Sequence, residues 1–283
     1  MTTQSKNTKK LSPEVIEHFH REGYALPGIQ LLPPEELKAL TETFEKIQAQ
    51  WIAQGGQPEH MDVPHFYFPE LHRFLFHSDV LDVAEDILGP DIALFSSHFI
   101  SKPAGNGKRV PWHEDSAYWK GNFSCPENPE SDGMEVVTIW LAIDPSLPKN
   151  SNMKVIPRSH LNGYSEYEDV QDPKAAVFHT NIKSDQFDES TAIDCTLKQG
   201  EFSLHHAKTI HGSDSNTSDI RRCGYTMRFI STRSKFHPEN TWGKLPHLHL
   251  ARGVDHAGNT YLEKDQPFQE WIEKYGAYIP KGH

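Results

Sequence analysis

The stretch that decides the fold assignment is residues 110–119, Val-Pro-Trp-His-Glu-Asp-Ser-Ala-Tyr-Trp. His113 and Asp115 are two positions apart, so on an extended strand both side chains point to the same face. One imidazole and one carboxylate supply two of the three ligands of a 2-His-1-carboxylate iron site, which leaves coordination positions open. The pattern therefore predicts a metal site carried by a β-strand, with His211 as the candidate third ligand.

The same His-x-Asp pattern occurs three times in this histidine-rich chain, at His60/Asp62, His77/Asp79 and His113/Asp115. The first pair lies in loop-like sequence between helices. In the second pair the intervening Ser78 is better used as a helix N-cap, and residues two apart on a helix point to different faces. Only the third pair lies in extended, aromatic sequence, so we select it; a polar loop without metal is its alternative.

The second half of the predicted site follows a strand over residues 203–210. His211 stands at the end of that strand, and Arg222 enters the next one, residues 223–232, after a polar turn. Two such positions on neighbouring strands can face the same interior. A 2-oxo diacid bound beside iron needs a cation for its far carboxylate, and arginine offers a bidentate fork for it.

The composition limits the class of protein. The chain has 283 residues, a formal net charge of -11 and a mean hydropathy of -0.65. Nucleic-acid binding depends largely on Lys and Arg, so the acidic balance argues against a nucleic-acid partner. No apolar run approaches the roughly 18–20 residues that span a bilayer, and residues 1–10 lack the apolar core of a signal peptide. We therefore predict a cytoplasmic protein without a membrane partner, and its oligomeric state stays open.

Cysteine usage agrees with a reducing compartment, because three widely spaced cysteines without a CxxC motif fit neither a disulfide framework nor a zinc ribbon. Helices are predicted from Ser12 to Glu22, from Pro33 to Gly55, and from Ser78 to Gly89. The second has one apolar face, formed by Leu37, Leu40, Phe44, Ile47 and Trp51. A last short helix through Phe268, Trp271, Ile272 and Tyr275 is predicted to end at Gly276.

From Ile92 onward the sequence is typical of β-structure. Short segments rich in β-branched and aromatic residues lie at 92–102, 135–144, 153–157, 192–197, 201–210 and 223–232. This order predicts a mainly β protein in which an N-terminal helical layer packs on one sheet of a double-sheet core. We predict one domain over 1–283, with a disordered lead-in (1–11), a helical layer (12–90), the β core (91–235) and a C-terminal extension (236–283).

Three segments together resemble a known family: Trp112-His113-x-Asp115-x-x-Tyr118-Trp119, then residues 152–160 (Asn-Met-Lys-Val-Ile-Pro-Arg-Ser-His), then His211-Gly212-Ser213 with Arg222 eleven residues on. Over about residues 12–235 the chain is similar to the phytanoyl-CoA dioxygenase family of iron(II)/2-oxoglutarate oxygenases. One departure is Arg158, where the family usually has glycine. The resemblance implies a double-stranded β-helix (jelly-roll, cupin-like) core.

The resemblance also implies a ligand set. His113, Asp115 and His211 would bind Fe(II), and Arg222 with Ser213 would bind the C5 carboxylate of 2-oxoglutarate, with O₂ as oxidant. Lys102, Thr138 and Trp140 are weaker carry-overs to the cosubstrate pocket. Relatives that halogenate replace the carboxylate by a small residue, so the retained Asp115 implies hydroxylation of a small molecule. Desaturation, ring closure and epimerisation stay open.

Further residues have two readings. Tyr118 and Trp119 could wall the substrate pocket or belong to the core. Arg228 could bind an anionic substrate, or it could form an exposed ion pair or point outward after a bulge. His205 could face inward but is predicted to be an ordinary packed or surface histidine. The long polar segments 120–133 and 163–191 are predicted to be binding loops. Two alternative functions stay open: a cupin-like metal enzyme without 2-oxoglutarate, and a non-catalytic jelly-roll binding protein.

Overall fold

The first helix shows how local sequence sets the element bounds. Ser12 caps it by accepting a hydrogen bond from the Val15 amide, and Gly23 ends it in the left-handed region (φ 81°) with its N–H on the Phe19 carbonyl. The structure, a computed structural model, describes residues 10–240 and 248–275. Its α-helices are α1 (Pro13–Glu22), α2 (Pro34–Ala53), α3 (His72–Leu75), α4 (Ser78–Leu88), α5 (Ser116–Trp119) and α6 (Gln269–Tyr275).

The first seven strands of the described chain are β1 (Tyr24–Ala25), β2 (Met61–Asp62), β3 (Ile92–Lys102), β4 (Val110–His113), β5 (Phe123–Ser124), β6 (Val136–Ala142) and β7 (Met153–Val155). The remaining strands are β8 (Tyr167–Asp169), β9 (Thr180–Ile182), β10 (Ile193–Cys195), β11 (Phe202–His206), β12 (His211–Ser213), β13 (Arg222–Ser231), β14 (Lys235–Phe236) and β15 (His249–Arg252).

Two sheets form the core of the fold. The large sheet has the order β1-β11-β6-β13-β3-β15, with β2 added to β3, and the small sheet has the order β10-β7-β12-β4. All of their pairings are antiparallel. This is the strand-rich jelly-roll architecture that the sequence predicts, and the edge strand β15 comes from the predicted C-terminal extension.

The two faces of the large sheet differ in chemistry. Alternate residues of β6, β11 and β13 pack with α1, α2 and α4 in one apolar core that includes Leu40, Phe44, Ile139, Phe202 and Phe229. The intervening residues face the small sheet. At Gly224 a side chain would overlap the indole of Trp140, so glycine leaves room for that ring on the inner face. The predicted packing of N-terminal helices on one sheet is confirmed.

Several predicted bounds need correction. The helix α4 is capped by His77 rather than Ser78, because the His77 Nδ1 accepts from the Asp79 amide. Residues 201–210 do not form one strand: β11 ends at His206, and the chain turns with the Thr209 N–H on the His206 carbonyl. His211 consequently lies in the other sheet. Such a turn leaves little signal in a run of β-branched and apolar residues.

Other predictions meet the structure only in part. Leu11, assigned to the disordered lead-in, is buried and its amide donates to Asp86; residues 1–9 lie outside the described chain. The last helix is confirmed over Gln269–Tyr275, and its predicted end at Gly276 also lies outside. Arg158 adopts φ 64°, a conformation that favours glycine and so accounts for the family preference at this position.

Candidate metal centre

The pairing of β4 with β12 brings the two predicted histidine ligands together. His113 and His211 are direct cross-strand partners, and their ring centroids are 4.1 Å apart. The backbone conformation at Asp115 differs from the prediction. The strand ends at His113, and Asp115 lies in helical backbone at the start of α5 (φ -56°, ψ -37°). The turn still brings the carboxylate to the histidines, so the grouping was right but its strand-face explanation was wrong.

The three side chains could hold one metal ion. One ligand atom from each of His113, Asp115 and His211 lies within 4.8 Å of the others, and within residues 10–240 and 248–275 no other such group of His, Cys, Asp or Glu occurs. The Asp115 Oδ1 is 3.8 Å from the His113 Nε2 and 3.9 Å from the His211 Nε2. Two imidazoles and one carboxylate are the donor set of non-haem iron sites.

Backbone carbonyls fix the orientation of both rings. The Nδ1–H of His113 donates to the Pro111 carbonyl (2.8 Å), and the Nδ1–H of His211 donates to the Thr209 carbonyl (2.9 Å). With Nδ1 protonated, the Nε2 of each neutral ring presents its lone pair toward Asp115. This is the outer support that metal-binding histidines normally have.

Burial sets the charge state of the group. It lowers the pKa of His113 and of His211, in each case against the opposing effect of Asp115. Burial alone would raise the pKa of Asp115, but the Arg228 guanidinium and the neighbouring His205 and His211 hold that pKa well below its ordinary value. At neutral pH the site is therefore two neutral imidazoles and one carboxylate, the protonation states that a cation requires.

Arg222 and Ser213 lie beside this group. The Arg222 Nε and Nη2 donate to the Ser151 carbonyl (3.0 and 2.9 Å), and Nη2 also donates to the Ser213 hydroxyl (3.0 Å). The guanidinium lies 5.5 Å from the Trp140 ring centroid, and burial lowers its pKa to about 10. Among the described residues no carboxylate forms an ion pair with Arg222.

Lys102 and Thr138, the weaker predictions, contact residues of the site through hydrogen bonds. The fully buried Lys102 donates from Nζ to the Ser213 hydroxyl (2.6 Å) and to the Asp214 carbonyl. Burial, followed by the charge of Arg222, places the pKa of Lys102 well below its ordinary value. The Thr138 hydroxyl donates to the Asp115 Oδ2 (3.4 Å). Lys102 thus reaches the site through Ser213, and Thr138 reaches it through Asp115.

The three predicted substrate residues have different positions. Arg228 points inward, is 7% exposed, and donates from Nε to the Asp115 Oδ2 (3.1 Å), so the exposed ion pair is wrong. Trp119 packs edge-on against Phe95 and lies 5.3 Å from the Arg228 guanidinium. Tyr118 is half exposed, and its ring centroid is 6.1 Å from that of His113.

Sequence reasoning did not assign several residues of the cavity, and two of them lie next to the candidate ligands. His205 is 1% exposed, its ring is 4.5 Å from that of His211, and its Nε2 is 3.7 Å from the Asp115 Oδ2. It was predicted to be an ordinary histidine, although its pairing with Thr138 places it on the inner face. Phe178, from the predicted binding loop 163–191, packs against His113 at 4.8 Å. Both line one cavity with the three candidate ligands and Arg222.

The comparisons with known proteins agree with this geometry. Residues 19–224 match the sequence model of the family described as phytanoyl-CoA dioxygenase (PhyH), so the chain belongs to that family, as the sequence predicts. A protein of Stutzerimonas stutzeri named "Probable alpha-ketoglutarate-dependent hypophosphite dioxygenase" is 29% identical over 165 residues, 56% of this chain and 52% of that protein. The match therefore spans about half of that curated relative.

Two solved structures show the fold. A non-heme monooxygenase, ThoJ in its apo form, is 25% identical with a TM-score of 0.71, over 94% of both chains. CytC3 with Fe(II) and alpha-ketoglutarate is 21% identical with a TM-score of 0.63, over 88% of this chain and 91% of its own. The predicted fold class is confirmed. Of the described helices, none has the length and apolarity to cross a membrane.

Proposed function

We propose that this protein is an Fe(II)- and 2-oxoglutarate-dependent oxygenase that hydroxylates a small molecule and releases succinate and CO₂. The observation that carries the proposal is one cavity lined both by His113, Asp115 and His211 and by Arg222, a buried cation without a carboxylate partner among the described residues. Bound iron would supply the redox chemistry that activates O₂ and couples the decarboxylation of 2-oxoglutarate to substrate oxidation.

The residues of the chain fit both groups. The two Nε2 atoms and the Asp115 Oδ1 face one another. The Asp115 Oδ2 accepts the shorter contact from Arg228 (3.1 Å, against 3.5 Å at Oδ1) and a hydrogen bond from Thr138, which favours Oδ1 as the metal-binding oxygen. A buried guanidinium is costly without a counter-ion, so Arg222 favours an anionic ligand. The Ser213 hydroxyl at 3.0 Å offers that ligand a second contact. Arg222 and Ser213 would therefore hold the far carboxylate of 2-oxoglutarate, with Trp140 as a wall.

The carboxylate of Asp115 favours hydroxylation over halogenation. A halide would need the coordination position that Asp115 fills, and the side chain is fixed there by hydrogen bonds from Thr138 and Arg228. Turnover assays in chloride and in bromide should therefore give oxygenated products and no halogenated ones.

Anaerobic titration with Fe(II) and 2-oxoglutarate tests the cosubstrate. A chelated 2-oxo acid should give a weak visible charge-transfer band in the wild type. The Arg222→Gln variant should weaken 2-oxoglutarate binding at least tenfold while iron stays bound, and His211→Ala should abolish the binding of both. No band in the wild type would reject the proposal.

Arg221 provides a matched control for Arg222. It is the adjacent arginine but points away from the cavity, where it pairs with Glu45 (2.6 Å) and Asp144 (2.8 Å). Arg221→Gln removes the same charge from the chain, so it should leave the band and the 2-oxoglutarate affinity unchanged. An equal loss in both variants would mean that the band responds to overall charge or stability and not to Arg222.

A cupin-like metal enzyme without 2-oxoglutarate is the second candidate, because His205 is a third histidine next to Asp115. In that enzyme His205 would be a metal ligand. The His205→Leu variant separates the two candidates. Under the leading proposal its Fe(II) affinity should stay within a few-fold of the wild type. If His205 is a metal ligand, the Fe(II) affinity should fall by about 100-fold or more.

A further inference from the structure

The inner face of the large sheet carries a second polar group beyond the metal ligands and the cosubstrate arginine. We propose that Arg228 and His205 form a subsite for an acidic group of the primary substrate, a carboxylate or a comparably compact oxyanion. The inference rests on the proposed function, because it places this subsite beside the same metal centre. It names the chemical class of the substrate group that the cavity would recognise beside Asp115.

The register of the sheet places the two side chains together. Thr138 on the central strand pairs with His205 on one side and with Arg228 on the other, so the three residues form one row across the inner face. Arg228 and His205 both line the cavity of the candidate ligands. Each also approaches the Asp115 Oδ2, at 3.1 Å from the Arg228 Nε and 3.7 Å from the His205 Nε2.

The buried positive charge of Arg228 would be stabilised by an anion in addition to Asp115. Asp115 is its ion-pair partner, and in the described chain no second carboxylate pairs with it. Once the Asp115 carboxylate also faces a divalent cation, its single charge is shared between that cation and the guanidinium. A buried arginine whose counter-ion is shared in this way gains from a substrate anion.

His205 provides the independent observation. The side chain is almost fully buried, and its Nε2 lies 3.7 Å from the Asp115 Oδ2, which is beyond hydrogen-bond distance. Within residues 10–240 and 248–275 neither ring nitrogen has a partner at hydrogen-bond distance. A neutral imidazole carries one donor and one acceptor, and buried polar atoms in proteins are nearly always paired. Since the ring borders the cavity, a bound ligand can supply the missing partner. A substrate oxyanion held by Arg228 would lie within reach of the donor.

The subsite is separate from the cosubstrate arginine. Arg222 and Arg228 are six residues apart on β13, so their Cα atoms lie about 20 Å apart along the strand. Both side chains point to the inner face, where the Arg222 guanidinium contacts Ser213, two residues after the candidate ligand His211, and the Arg228 guanidinium contacts the candidate ligand Asp115. The two arginines can therefore bind two different anions, 2-oxoglutarate beside Ser213 and the substrate beside Asp115.

Pairs of acids and neutral isosteres test the subsite without knowledge of the substrate. The probes are propionate with propionamide, benzoate with benzamide, and methylphosphonate with its dimethyl ester. Their binding to the anaerobic Fe(II)/2-oxoglutarate complex is measured by calorimetry and by the shift of the charge-transfer band. For at least one pair, the wild type should bind the acid tenfold or more tightly than its neutral partner. Arg228→Gln should remove that preference, Arg228→Lys should keep part of it, and His205→Leu should reduce it several-fold.

Arg233 gives a matched control, because it is a half-exposed arginine that pairs with Glu127 at the surface. Arg233→Gln should retain the full acid preference. If Arg228→Gln does not fold, Arg228→Lys and His205→Leu decide: an unchanged preference in both overturns the subsite.

Three outcomes separate the competing explanations. A wild type that forms the band but binds no acid better than its neutral partner overturns the subsite and leaves the proposed function intact. Weaker iron binding in Arg228→Gln with an unchanged acid preference also overturns it, since Arg228 would then only position Asp115. Conversely, acid binding that depends on Arg228 in the absence of any band would reject the proposed function and support the subsite.

Discussion

The two faces of strand β13 are equally buried and chemically opposite. The face toward the helices carries Cys223, Tyr225, Met227 and Phe229, all within the main apolar core. The face toward the small sheet carries Arg222, Thr226 and Arg228, three residues that are 1% to 7% exposed. Burial alone thus does not distinguish core from site.

The two faces of β13 differ in the groups that pack against them. The outer face meets helices that bury apolar area, which contributes on the order of 25 cal/mol per Å². The inner face holds charges and imidazoles whose burial costs free energy unless they are paired. The helical layer therefore supplies the stability that the buried polar groups of the inner face lack. The site depends on this stability, although none of the described hydrogen bonds to the Asp115 side chain comes from a helix of that layer.

The largest effect is expected on the outer face. Phe229→Ala removes a fully buried ring from the core and should lower the free energy of unfolding by about 3–5 kcal/mol. Urea unfolding measures the loss, and the folded fraction should still bind Fe(II) with wild-type affinity. Val254→Ala, at a side chain that is 59% exposed, should change stability by less than about 0.5 kcal/mol. A similar loss in both variants would contradict the assignment of the outer face.

An exception on the outer side of the sheet should make stability depend on pH. His249 pairs with Leu94 and packs against His72, with ring centroids 5.1 Å apart. Burial, with the charge of His72, lowers the pKa of His249 to about 4 from 6.5. A histidine whose pKa is lower in the folded chain stabilises the fold above its unfolded pKa, and this contribution is lost as pH falls toward the folded pKa.

The contribution of His249 to the free energy of unfolding is lost between about pH 6.5 and pH 4, and the loss should amount to about 2 kcal/mol at pH 5. His72, Asp265 and Lys264 also face this group and add their own dependence. The comparison of wild type with His249→Leu isolates the His249 part: urea unfolding at pH 7.5 and pH 5 should show a smaller pH effect in the variant. Parallel pH profiles would exclude His249 as a contributor.

A smaller effect is expected on the inner face, and it should appear in metal affinity instead of stability. Thr138→Val keeps the shape of the side chain but removes the hydroxyl that donates to the Asp115 Oδ2. Fe(II) affinity, measured by anaerobic calorimetry, should fall about tenfold, the lower end for outer support of a metal ligand. Thr226→Val on the same face removes a hydroxyl bonded to the His98 carbonyl and should leave the affinity unchanged. An equal fall in both variants would mean a general loss of packing.

Local signals made part of this comparison predictable. The strand over Ile92–Lys102 follows its content of β-branched and aromatic residues, and the helices α1 and α2 follow their caps and glycine stops, because such signals act locally. The grouping of His113, Asp115 and His211 was also predicted. That prediction depended on the spacing of several motifs taken together, as in the family pattern, because no single motif was specific enough to identify the three residues.

Features that depend on tertiary pairing were not predictable. The sequence does not show that the chain turns between His206 and His211, so that one strand becomes two in different sheets. His205 joined the cavity only because β11 pairs with β6, a register set by long-range contacts. Likewise, His249 entered the large sheet from a segment without a family counterpart. Local sequence determines the elements, whereas the partners of each face come from the assembled sheet.

The smallest effect concerns the Tyr225 hydroxyl on the outer face of β13. The Tyr225 ring stacks on Phe99 with centroids 3.9 Å apart, and its hydroxyl donates to the Ser97 Oγ at 3.2 Å. Tyr225→Phe keeps the stacked ring and removes one buried hydrogen bond, so the free energy of unfolding should fall by about 1 kcal/mol. Fe(II) and 2-oxoglutarate affinities should not change, because the hydroxyl lies on the side of the sheet away from Asp115. A loss of metal binding without a loss of stability would show that the two faces are coupled, and the division of labour proposed for β13 would then be wrong.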